Sequence, residues 1–149
     1  MNPFDPRSVP FARHAQHVVL IHFPIALCIV SIAFDFIAQR TKKRVLADVA
    51  YYNLLVAAIS TVPVVVTGLL AWRWQLEGQR LKGTLLLHLV LGLAASAMIW
   101  LAWSLHFRAH RNPEGKLPLY RLPIELAAAT VVSLTAHLGG FLSGVNGPG

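Results

Sequence analysis

Four apolar runs separated by short basic segments set the pattern of this chain, over about residues 18–38, 49–72, 84–105 and 122–142. A run of about 20 apolar residues is enough to cross a hydrocarbon core. In lipid the backbone must satisfy its own hydrogen bonds, so each run is predicted to be a helix. The connections QRTKKR, RWQLEGQRLKG and FRAHRNPEGKLPLYR suit antiparallel neighbours. The pattern therefore predicts an all-α, integral membrane, up-down four-helix bundle, a single domain over 1–149 with both termini on one side. No internal repeat or discontinuous helix pair is visible in the runs, which argues against a transporter. Pro63 is expected to kink the second helix, with Ser60, Thr61 and Thr67 satisfying freed backbone groups.

Composition agrees with that reading. Of 149 residues, 56% are hydrophobic and 13% charged, where soluble domains carry about a quarter charged. The net charge of +7 lies between the apolar runs, which points to membrane loops and not to a nucleic-acid partner. Loops one and three hold eight Lys and Arg, against five in the N-terminal arm and loop two. That asymmetry places loops one and three inside and both termini outside. Trp72 with Trp74, and Trp100 with Trp103, fit two interfacial belts. Cys28, the single cysteine, is expected to be a buried, inert thiol. The opening stretch MNPFDPRSVPFARHAQ reads as an interfacial segment and lacks the form of a signal peptide.

Chemistry enters through seven histidines. His22 and His88 each lie about five residues into the first and third spans, and His137 about five before the end of the fourth. At ~1.5 Å per residue, the three fall roughly 7–8 Å below one membrane face. Thr84, His88, Gly92 and Ser96 recur every four residues, and Thr130, Ser133, His137, Gly140 and Gly144 form a similar stripe. Small residues mark the sides on which membrane helices approach, so these histidines are expected to face inward. Three inward imidazoles suit haem b, any two of His22, His88 and His137 ligating iron while Gly92 and Gly140 leave room for the porphyrin. A quinone pocket, a zinc or copper site, and plain hydrogen bonding within the bundle remain alternatives. Asp35 is expected to pair with Arg40, Arg108 or Arg121. His106 with His110 reads as a solvated basic turn, and His14 with His17 as interfacial. Phosphate loops, His-Glu-x-x-His and paired hydrolase carboxylates are all missing from the sequence.

The elements VLIHFPIAL with Asp35, TGLLAW and AHLGG resemble a bacterial family of predicted four-helix membrane proteins, domain of unknown function twenty-two thirty-one. The resemblance runs from about His22 to Gly140. It matches His22, Phe23, Pro24 and Asp35 in the first helix, Gly68 in the second, His88 with Gly92 in the third, and His137, Gly139 and Gly140 in the fourth. Relatives often carry an acidic residue after the TGLL element, where this chain has Ala71 and Trp72. The resemblance implies a bacterial cytoplasmic (inner) membrane, a redox setting, and a c-type cytochrome or larger membrane redox complex as partner. The expectation is a haem b electron-transfer protein or redox-complex subunit in the lipid bilayer, able to form homo-oligomers. The alternative is a cofactor-free accessory subunit. Both readings favour an electron-transfer or accessory subunit over a stand-alone enzyme, and leave the question of enzyme activity open.

Overall fold

Helices account for almost all of residues 13–74, 76–111 and 118–143, which the computed structural model describes. They are α1 (Arg13–Thr41), α2 (Arg44–Trp74), α3 (Gly83–Arg111) and α4 (Arg121–Leu142), with no strand among the described residues. All four are long and apolar enough to cross a membrane. They overrun the apolar runs at most ends, because polar and basic residues extend a helix into the headgroup layer without breaking its ladder. Thr41 and Lys42 close α1: the Thr41 hydroxyl donates to the Ile37 carbonyl at 2.8 Å, and Lys42, with φ 58°, donates its N–H to Ala38 at 2.8 Å. That left-handed cap turns the chain within two residues. The helices therefore alternate in direction. His17 at the start of α1 meets Thr67 near the end of α2, and Asp35 near the end of α1 meets Arg121 at the start of α4.

α1 packs most extensively on α2 and α3 on α4, with lighter α2–α3 and α1–α4 contacts. Small residues make the close approach possible: the core cluster holds Ala57, Ala58, Ala95, Cys28, Ile99 and Val132. The buried thiol of Cys28 is as expected.

A regularity absent from the residue types appears in the burial. In α3 and α4 the buried positions are 95, 99, 102, 106, 121, 125, 128 and 132. Subtracting 71 from each gives 24, 28, 31, 35, 50, 54, 57 and 61, and every one of these is buried. The α1–α2 and α3–α4 hairpins thus present one set of buried positions twice, 71 residues apart. This corrects the expectation that the chain has no internal repeat. The residue types differ at these matched positions, Asp35 against His106 and Leu54 against Glu125.

Pro24 is buried inside α1, at the position equivalent to Ala95. α2 runs through Pro63, and Ser60, Thr61 and Thr67 each donate to a backbone carbonyl of their own helix.

Candidate functional site

Near the ends of α1 and α3 and the start of α4, four charged or titratable side chains are buried together. Asp35, His106, Arg121 and Glu125 are each no more than 4% exposed. Arg121 grips Asp35 at two points, Nε donating to Oδ2 at 2.9 Å and Nη2 to Oδ1 at 3.3 Å, while Nη1 donates to the Pro118 carbonyl at 3.3 Å. One turn on, Glu125 Oε1 is hydrogen-bonded to His106 Nε2 at 2.7 Å. Asp35, His106 and Glu125 each offer a ligand atom within 4.8 Å of the others. Asp35 and His106 occupy equivalent positions in the two hairpins. Glu125 Oε2 is buried without a hydrogen-bond partner, a condition it shares with Trp103 Nε1 among the described residues. Charges inside a membrane are costly unless paired, and the two pairs are the physical reason these residues face inward.

This arrangement settles which face of α4 is inside. Arg121, Glu125, Ala128 and Val132 are buried, and Thr130, Ser133 and His137 are exposed. The small and polar stripe of α4 therefore faces outward, contrary to expectation, because the charged residues claim the interior. His137 lies edge-on to Phe141 with ring centroids 4.9 Å apart.

The three histidines singled out from the sequence do not form a three-ligand cluster. His22 is exposed, its Nδ1–H donating to the Val18 carbonyl of its own helix at 2.6 Å. His88 is half-buried, its Nδ1–H donating across to the Thr135 carbonyl of α4 at 3.1 Å. A Cβ at Gly139 would come within 3.2 Å of His88 Cε1, so the glycine is the seat of the ring. Gly92 faces Thr135 with ordinary room, and Gly140 is half-buried. The counterpart of His88 in the first hairpin is His17, not His22. His17 packs on Gly68, where a Cβ would lie 3.0 Å from its Cε1, and hydrogen-bonds Thr67 Oγ1 at 3.2 Å. His17 to Gly68 and His88 to Gly139 are related by the same 71-residue step, 17 to 88 and 68 to 139. His22 lies five residues deeper than His17, roughly 7–8 Å along the helix at ~1.5 Å per residue. The side chain of His14 and residue Gly144 lie outside the described residues.

A family model described as "Predicted membrane protein (DUF2231)" matches residues 13–147. The chain belongs to this family. No curated protein and no solved structure matches it. Within this multi-pass DUF2231 membrane protein, Asp35 finds Arg121 of the three arginines considered from the sequence. His106 is buried against Glu125, not solvated, and His110 stacks on Tyr51 at 4.5 Å with Asp48 Oδ1 3.6 Å from its Nδ1. Trp100 donates to Thr61 Oγ1 at 3.2 Å across the α2–α3 contact. Glu125 escaped the sequence reading. The signal was present: it is an acidic residue in the first apolar turns of a span, spaced from the near end of its span as Asp35 is from its own.

Proposed function

We propose that this family member is a proton-accepting membrane subunit whose working group is the Glu125–His106 pair. The observation that carries the reading is a buried carboxyl bonded to imidazole at 2.7 Å with its second oxygen unpartnered. Asp35 and Arg121 cancel one another. One proton shared by Glu125 and His106 brings the four side chains to net zero; without it they hold one net negative charge in the protein interior. The donor set suits a proton better than a divalent metal, because the Arg121 guanidinium already takes the cation's place on Asp35. Carboxyl and imidazole are the side chains that exchange protons at ordinary pH, and intramembrane ionisable residues mark such relays. Infrared spectra of the reconstituted protein over a pH series test this. A carboxylic C=O band should change with pH and vanish in Glu125→Gln. A band that persists in that variant, or none in wild type at any pH, overturns the reading.

A second reading is a haem b electron-transfer protein or redox-complex subunit, with iron ligands drawn from His22, His88 and His137. Its support is that the Nδ1–H groups of His22 and His88 both donate to backbone carbonyls. That bond fixes the tautomer with Nε2 as the coordinating nitrogen, as in many metal-ligating histidines. A bound haem would supply the one-electron chemistry, with the protein contributing ligands and burial. Reduced-minus-oxidised absorbance of protein expressed with ample haem should show b-type bands, lost or shifted in at least two of the single replacements of His22, His88 and His137. A featureless spectrum contradicts it.

A further inference from the structure

On the membrane face where α1 ends and α2 and α4 begin, an open hollow of about 470 Å³ is lined by Lys42, Lys43, Arg44, Arg121 and Asp35. Its charge is unbalanced. Asp35 is the one acidic residue lining it and is already held at two points by Arg121, which leaves three exposed cations facing the space. The start of α2 adds to this field, for no acidic residue occupies its first turn, and the unsatisfied N–H groups of a helix start favour an anion. The turn holding the cations is specified: Lys42 adopts φ 58° and is tied back to Ala38, so the three side chains leave the chain at a sharp corner between two spans. Ile37, Val45 and Tyr120, next in sequence to the lining residues Ala38, Arg44 and Arg121, are 44%, 71% and 60% exposed, an apolar rim carried by the chain segments that line the hollow, where the spans end.

We infer that this hollow binds the phosphodiester headgroup of an anionic membrane lipid, with Lys42, Lys43 and Arg44 holding the phosphate and the apolar rim holding the first part of the acyl chains. Basic pockets between membrane helices recognise anionic headgroups by this combination. A free phosphate would use the same cations but not the rim, which is why a lipid is the occupant. Because Arg121 lines the hollow and also anchors Asp35, the headgroup lies against the outer side of the buried charge cluster.

The test is native mass spectrometry of the full-length protein titrated with phosphatidylglycerol in detergent, alongside phosphatidylcholine. Wild type should retain phosphatidylglycerol in preference to phosphatidylcholine. The K42Q/K43Q/R44Q variant, shown by circular dichroism to keep its helices, should bind phosphatidylglycerol on the order of a hundredfold more weakly. R73Q/R80Q/K82Q, which removes three cations from the other loop, should bind as wild type does. Inorganic phosphate at millimolar concentration should not displace the lipid. Equal retention in the K42Q/K43Q/R44Q variant, equal loss in the other triple variant, or displacement by inorganic phosphate each overturns the assignment.

Discussion

The two hairpins share a mould and differ in what they place in it. At the position where α1 has Asp35, α3 has His106; where α2 has Ala50 and Leu54, α4 has Arg121 and Glu125. The first hairpin is a mostly apolar surface with one carboxylate. The second carries an imidazole, a guanidinium and a carboxyl at equivalent points. At the other end the hairpins stay alike, each seating a histidine on a glycine. Register in a helical bundle is thus set by the spacing and size of interior positions, and chemistry can be changed at those positions so long as every buried charge finds a partner.

The largest effect expected from breaking this comparison is at Asp35. Asp35→Ala leaves Arg121 buried without its carboxylate and should cost about 3–5 kcal/mol, whereas the double variant with Arg121→Met should recover much of that loss. His106→Ala, at the equivalent position, should cost less, about 1–3 kcal/mol, because a neutral carboxyl can remain. Unfolding in graded sodium dodecyl sulfate, followed by circular dichroism, measures both. If the two positions cost the same, the asymmetry assigned to the hairpins is wrong.

The histidine seats come next. Gly68→Ala and Gly139→Ala each push a methyl group against an imidazole and should destabilise by about 1–3 kcal/mol. His17→Ala and His88→Ala should each relieve the clash of its own glycine only. Cross-relief, or a penalty at just one glycine, would show that the seats are not equivalent.

The smallest test concerns a hydroxyl. Ser31 Oγ donates to the Ala50 carbonyl at 2.6 Å between α1 and α2, while its counterpart in α3 is Ala102. Ser31→Ala should cost roughly 0.6 kcal/mol, a common value for a hydrogen bond between membrane helices. Ala102→Ser should make the matching bond to the Arg121 carbonyl and be neutral or slightly stabilising in the same titration. A loss above about 2 kcal/mol would mean that position 102 lacks the room of position 31.

Much of the architecture was legible in the residues. The apolar runs mark four helices because lipid leaves the backbone few options, and an acidic Asp35 near the end of a span required a basic partner. The faces of the helices were harder to read. In a soluble bundle polar residues mark the outside, but in lipid both faces are apolar and small residues occur on each. The stripe through Thr130, Ser133 and His137 therefore looked like an interior and is a surface. Buried charge is the better guide to a face, as Arg121 and Glu125 show for α4. The repeat was hidden for a related reason: small apolar residues recur everywhere in a membrane chain, so only burial picks out the matched positions. The seat of His17 on Gly68 was hidden because the apolar run, beginning at 18, masked a helix that starts at Arg13.

One measurement tests the central claim, that a proton-accepting cluster is mounted on a repeated mould. In a variant combining D35H, A50R, L54E, H106D, R121A and E125L, each polar residue moves to its counterpart in the other hairpin. Infrared spectra over a pH series, recorded with circular dichroism, should show a folded helical protein whose pH-sensitive carboxyl band is restored and is then abolished by replacing the transplanted carboxyl at position 54 with Gln. A helical protein without that band, or a chain that no longer folds, would contradict the account.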